Sequence, residues 1–201
     1  MRTADINGDG LVDIICHNDM SSGTCNSSNP EIYMHTTSGW TNVNSTWVFP
    51  NKVDNPNQKE SFISSVGKDT GLRAVDVNGD LKVDLVRGNG SSTRYVYINN
   101  GSSGWTYDSS WSLPLSGFLN NGTDYGFRMG DINGDGLPDI LCHTESSGAC
   151  DPGEPKIYLN NGSGWTNVSS TWLFPTKADD ASKKEAFLGS TGQDLGLRLF
   201  D

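Results

Sequence analysis

Residues Asp131–Asp139 read DINGDGLPD, and two near-copies stand earlier in the chain, DINGDGLVD at Asp5–Asp13 and DVNGDLKVD at Asp76–Asp84. Counted from the first Asp, side-chain oxygens fall at positions 1, 3, 5 and 9, so each loop offers three carboxylates and one amide. A hard cation such as calcium takes about six to eight oxygens. In calcium loops that open this way, a backbone carbonyl at position 7 completes the inner turn and a Gly at position 6 permits the sharp bend. The candidate ligand sets are Asp5, Asn7, Asp9, Leu11 and Asp13; Asp76, Asn78, Asp80, Lys82 and Asp84; and Asp131, Asn133, Asp135, Leu137 and Asp139. Leu11, Lys82 and Leu137 enter through their carbonyls. Gly10 and Gly136 occupy the bend in the outer copies, but Leu81 occupies it in the middle one. That loop is expected to be strained or weaker.

Asn-Gly and Asp-Gly pairs also make hairpin turns unaided. A tight turn constrains only its central pair, whereas all three copies keep Asp at 1, 5 and 9 and Asn at 3. Turn chemistry alone does not explain that. An EF-hand is excluded, because position 12 holds Cys16, Arg87 and Cys142 instead of a bidentate Glu, and no long helical pattern flanks the loops.

The 201 residues are 34% hydrophobic and 19% charged, which suits one repeat-built domain or part of a larger one. Three bound divalent cations would add six positive charges and bring the net −10 to −4. Without metal, crowded carboxylates destabilise the loops by mutual repulsion. The acidic balance argues against a nucleic-acid partner. No apolar run approaches the roughly 18 residues that span a membrane, so membrane insertion is not expected. The opening MRTAD lies directly inside a repeat and has no signal-peptide pattern, which fits a removed leader or an excised segment.

Four cysteines fall in two local pairs, Cys16 with Cys25 and Cys142 with Cys150, at the same place in their repeats. Disulfides are the natural reading, each worth about 2.5 kcal/mol on the chain-entropy estimate. A zinc site with His17 and His143 is the rival, but each cluster offers only three soft ligands. Paired cysteines and calcium-type loops both point to an oxidising exterior, extracellular or on the cell surface.

Internal repetition governs the fold. Arg2, Arg73, Arg128 and Arg198 each precede an acidic loop or its register equivalent. After each loop come a Tyr-containing strand, a Gly-Trp, a second Trp and a Pro. The units read as 1–72 (long), 73–127 (short), 128–197 (long) and 198–201, the opening of a fourth. In the short unit GLRAVD, KVDLVRG, TRYVYINN and GWTYDSSW predict four short antiparallel strands, the size of a propeller blade. The expected fold is therefore all-β: tandem four-stranded antiparallel blades of β-propeller type, three of them plus the first strand of a fourth, which a neighbouring copy could continue. Three blades are too few to close a propeller. The Lys-, Asp- and Ser-rich stretches Asn51–Asp69 and Thr176–Asp194 read mainly as surface loops, with SKKEAFLGS able to form a turn or two of helix.

All six tryptophans belong to the Gly-Trp…Trp element, in the pairs Trp40 and Trp47, Trp105 and Trp111, and Trp165 and Trp172. Packing between sheets is the simpler role, and an exposed platform for sugars the sharper one. The arginines are expected to brace loop carboxylates or neighbouring backbone. Sequons for N-glycosylation stand at Asn26, Asn44, Asn89, Asn100, Asn121, Asn161 and Asn167.

With loop, unit length and strand order in place, the chain resembles the FG-GAP/VCBS repeat family, whose calcium-binding blades occur in integrin α-chain propellers and in secreted or surface microbial proteins. GFRMGDINGDGLPDILCH is the most specific segment. The resemblance implies blades whose loop between strands one and two holds Ca²⁺ through the residues named above. The Gly-Ala-Pro element after the loop is absent, and Asn stands where many members carry a third Asp. Integrin-like ligand binding is therefore not implied. The expected function is a non-enzymatic extracellular structural or adhesive module. Its expected cofactor is Ca²⁺ at about three sites, and its partners are copies of itself or further repeats of a longer chain in a ring or fibre, with glycans as further candidates. The alternative is a lectin-like propeller using the tryptophan pairs. No catalytic set stands out: His17 and His143 adjoin cysteines, His35 stands alone, and the aspartates belong to loops.

Overall fold

Short β-branched and aromatic runs flank each acidic loop, and each becomes a pair of antiparallel strands with the loop as its connection. The computed structural model describes residues 1–20, 25, 30–90, 93–115, 117–120, 122–145, 150 and 154–199. The sequon residues Asn26 and Asn121, and Phe200 and Asp201 of the fourth-unit opening, lie outside the described residues.

The first sheet comprises β1 (Arg2–Ala4), β2 (Asp13–Cys16), β3 (Glu31–Thr36) and β4 (Gly39–Asn42) in simple meander order. β5 (Leu72–Val75), β6 (Asp84–Asn89), β7 (Thr93–Asn99) and β8 (Trp105–Tyr107) repeat the pattern. The hairpin of β9 (Leu119–Asn120) and β10 (Thr123–Asp124) joins this middle sheet through one parallel pairing, Asn89 with Leu119. The third sheet comprises β11 (Phe127–Gly130), β12 (Asp139–Cys142), β13 (Lys156–Asn160) and β14 (Trp165–Asn167). No helix occurs among the described residues. The expected all-β class and four-stranded antiparallel sheets are therefore present, and so are the four strands of the short unit.

Register explains the core. The period-two alternation of a strand sends neighbouring side chains to opposite faces. In β6, Leu85 faces the first sheet beside Ile15, Ile32, Trp47 and Phe49, while Val86 faces the third beside Phe127, Ile140 and Tyr158. Covered on both faces, β6 is buried from Asp84 to Gly88, and both its charged side chains, Asp84 and Arg87, lie inside. The third sheet turns Leu141 and Ile157 away from the middle one, where they pack with Phe174, Phe187 and Leu188.

Both disulfides are formed, Cys16–Cys25 and Cys142–Cys150, with Cα separations of 5.1 and 5.5 Å. No helix among the described residues is long and apolar enough to cross a membrane.

The inserts depart from the surface-loop reading. Their centres, KESF at Lys59–Phe62 and KEAF at Lys184–Phe187, turn inward. Glu60, Ser61 and Phe62 are fully buried, as are Ala186, Phe187 and Leu188. Isolated bridges tie Ile63 to Asn18 and Asp69, and Leu188 to Thr144 and Asp194. SKKEAFLGS forms no helix, because its Phe and Leu are drawn into the sheet-edge core and Thr176 bridges Lys184 instead.

Candidate metal loops and the contacts between units

Each acidic loop closes the first strand pair of its sheet, at Ala4 opposite Asp13, Val75 opposite Asp84 and Gly130 opposite Asp139. The position-1 carboxylate gathers the turn: Asp5 accepts N–H from Gly8 and Gly10 at 2.7 and 2.8 Å, and Asp131 accepts from Gly134 and Gly136 at the same distances. These donors, Gly136 foremost, hold the Asp131 carboxyl below the usual range. The position-3 Asn accepts the position-5 N–H at 3.1, 3.1 and 2.9 Å in turn.

The position-9 Asp does something else. Asp13, Asp84 and Asp139 are fully buried. One oxygen of each accepts the N–H of the loop's second residue (Ile6, Val77 or Ile132), and the other accepts an N–H at the end of the sheet's third strand (His35, Asn99 or Asn160). These carboxylates pin the loop to the sheet. Burial pushes all three above the usual range, Asp84 to about 7, against those N–H donors and with the other two loop carboxylates adding to the rise.

Among the described residues, no three His, Cys, Asp or Glu side chains are gathered as a formed metal centre. The donor chemistry still suits a hard cation. Each loop offers oxygen donors, and its buried Asp feels the charge of the other two, a repulsion that a cation relieves.

The middle loop differs in two ways. Leu81 sits at φ +66°, where its counterparts are Gly10 and Gly136. A side chain in that left-handed region costs about 1–2 kcal/mol. Lys82 brings its own cation, with Nζ 3.2 Å from Asp80 Oδ2. Because Leu81 is exposed, Leu81→Gly gives up little packing. It is expected to stabilise the protein by about 0.5–1 kcal/mol in urea unfolding.

Neighbouring units interlock beside the loops. Asn99, at the end of β7, donates through Nδ2 to the carbonyl of Ile6 in the preceding loop at 2.7 Å. Asn160 does the same to Val77 at 2.8 Å. The second Trp of one unit meets the Gly-Trp of the next, Trp47 with Trp105 at 5.8 Å and Trp111 with Trp165 at 5.2 Å between ring centres. Inter-sheet packing is thus the role of these four, whereas Trp40 and Trp172 are 48% and 39% exposed.

Three of the four arginines brace an aspartate at the end of the preceding unit, not the loop carboxylates expected as one option. Arg73, Arg128 and Arg198 pair with Asp69, Asp124 and Asp194, four residues earlier, at 3.0, 2.9 and 2.9 Å. Those aspartates also accept the N–H of the intervening Gly71, Gly126 and Gly196. Arg2, Arg73 and Arg128 lie over the rings of Phe62, Phe118 and Phe187 at 5.1–5.4 Å. The expected backbone contacts exist too, since Arg73 and Arg128 donate to the carbonyls of Leu72 and Phe127.

Sequence reasoning missed one cluster. Glu60, from the first long tail, is fully buried and receives both the Arg87 guanidinium and the Tyr97 hydroxyl, the latter at 2.6 Å. Burial drives its carboxyl up while Arg87 pulls it down. The signal lay in the repeated KESF and KEAF, read against the Arg that replaces Cys in the short unit. Among sequons, Asn100, Asn161 and Asn167 are exposed, and each accepts a nearby Ser N–H through Oδ1. Asn44 accepts the Ile32 N–H at 2.6 Å, and Asn89 ends β6.

Residues 76–142 match the family model described as the FG-GAP-like repeat. That stretch, from the middle loop to the strand after the third, is similar to that repeat. No curated protein matches the chain. Among solved structures, a lectin of Agrocybe aegerita, described as specifically recognising non-reducing terminal N-acetylglucosamine, superposes with a TM-score of 0.47 at 19% identity. The superposition covers 82% of this chain and 36% of the lectin's length.

Proposed function

We propose that this chain is a non-enzymatic structural or adhesive module that works outside the cell as part of a tandem array of calcium-stabilised, propeller-type blades, with the unit boundaries given above. The observation that carries this reading is the buried Asp at position 9. Asp13, Asp84 and Asp139 join each loop to its own sheet, while Asn99 and Asn160 join that sheet to the loop before it. A cation held by the three aspartates, the Asn and the position-7 carbonyl of a loop would therefore stiffen a junction between units as well as a turn. Calcium would supply countercharge and fixed coordination. The protein's own residues hold the turn and transmit its rigidity to the next sheet.

Two disulfides and sequons on exposed turns support the extracellular setting, where Asn100, Asn161 and Asn167 would carry glycans, the Asn100 nitrogen giving up its hydrogen bond to Ser103 to do so. The lectin alternative is left with Trp40 and Trp172 as sugar platforms, because the other four are committed between or beside sheets.

Thermal melting with excess calcium and then with EDTA tests the reading. A millimolar calcium excess over micromolar sites is expected to raise the melting temperature by roughly 10 °C or more, from about 4 kcal/mol of linkage per site at 1,000-fold saturation. Superimposable curves would remove the calcium claim.

A further inference from the structure

The outer face of the third sheet is a copy of a face that is already covered elsewhere in the molecule. On the first unit, Ile6, Ile15, Ile32, Trp47, Phe49 and Phe62 form a surface that the middle unit fills with Leu72, Leu85, Tyr97 and Trp105. At the corresponding places of the third unit stand Ile132, Leu141, Ile157, Trp172, Phe174 and Phe187, and they line an open groove of about 240 Å³. Covering makes the difference: Trp47 is 7% exposed and Trp172 39%. Leu197 and Leu199 already lie against this face in the places of Leu72 and Ala74. They are not in a strand, whereas Leu72–Val75 becomes β5 by pairing with β6.

Charge decides what kind of unit belongs there. Glu60 is consumed by Arg87 and Tyr97 of the short unit. Its counterpart Glu185 repeats the backbone contact, its carbonyl lying 2.6 Å from His143 Nδ1, but its side chain is only part-buried, and among the described residues its carboxylate feels the charge of Lys177 without a direct ion pair. A long unit cannot supply the missing cation, since Cys16 and Cys142 stand where the short unit has Arg87.

We infer that this face is a docking surface for one more short-type unit of the same fold, carrying Arg at the place of Arg87 and Tyr at that of Tyr97, and that a second copy of this chain, which would present its first long unit, is not its occupant. The inference rests on the tandem-array reading but not on calcium, so an EDTA-insensitive melt would leave it standing.

The test extends the full chain after Arg198 with a second copy of residues 74–127, continuing the register of Asp69–Arg73 in Asp194–Arg198. In the extended protein, Glu185→Gln is expected to lower the melting temperature by roughly 5–10 °C, and Trp172 should become inaccessible to iodide. In the unextended chain, the same substitution should move it by no more than about 1 °C. Equal effects in both backgrounds would overturn the inference. If the extended chain does not fold, the unextended one still decides. A monomeric mass with Trp172 quenched equally at all protein concentrations supports the inference. A mass that grows with concentration while Trp172 becomes protected overturns it in favour of self-association.

Discussion

Arg87→Met is expected to destabilise the protein by about 3–5 kcal/mol, because it leaves the Glu60 carboxylate buried with only the Tyr97 hydroxyl. The side chain lost is almost wholly inside, so solvent screening offers little relief. Methionine fills much of the same volume, which keeps a packing defect from mimicking the effect. Urea unfolding with an unchanged slope reports the loss, as does a fall in melting temperature of roughly 6–15 °C. Adding Glu60→Gln is expected to recover most of it, since the amide oxygen still accepts from Tyr97 while the stranded charge is gone. If Arg87→Met cost less than about 1 kcal/mol, the pair would be no part of what joins the first two units.

The second large effect belongs to Asp84. Its two oxygens hold the N–H groups of Val77 and Asn99 at 3.0 and 2.7 Å inside the protein, and Asp84→Ala strands both. At about 1–3 kcal/mol for each buried unsatisfied donor, the expected loss is about 2–6 kcal/mol even in chelator, and larger with calcium present. The charge on this carboxyl also sets a pH dependence. Its folded value, about 7, lies above the ordinary 3.8, so the metal-free folded protein keeps a proton that the unfolded chain releases. This contribution is greatest below the unfolded value and is lost as pH rises through about 7. In EDTA, stability from this group should therefore fall between pH 4 and pH 7, and Asp84→Asn should flatten that slope. A metal-free protein whose stability rises with pH across this window in the wild type and is untouched by Asp84→Asn would contradict the assignment.

Much of this architecture could be read from the chain because its periods are short and local. Strand pairs around DINGDG, the Tyr-rich third strand and the Gly-Trp fourth depend on neighbours a few residues away, and they fold as read. Leu81 at positive φ follows from the absence of a glycine at a bend its sister loops mark with one. The polar tails were less legible, for a physical reason. Their composition is that of a surface loop, and only a short centre of each turns inward, Glu60 to Phe62 in the first and Ala186 to Leu188 in the second. Glu60 is stabilised inside by an Arg 27 residues away in another sheet, and no local window contains both. For the arginines the backbone half of the expectation holds and the loop-carboxylate half does not, because the Asp–x–Gly turn places a closer carboxylate four residues back.

The amide that reaches across at Asn99 and Asn160 gives the stack a polarity. In the first sheet the same place is held by His35, whose ring lies flat on Trp40 at 4.5 Å and whose side chain makes no such reach. A newcomer beyond the third sheet could clasp the peptide oxygen of Ile132 with an asparagine of its own. At the first sheet an imidazole and an indole occupy that place instead, so the two outer faces of the stack carry different chemistry.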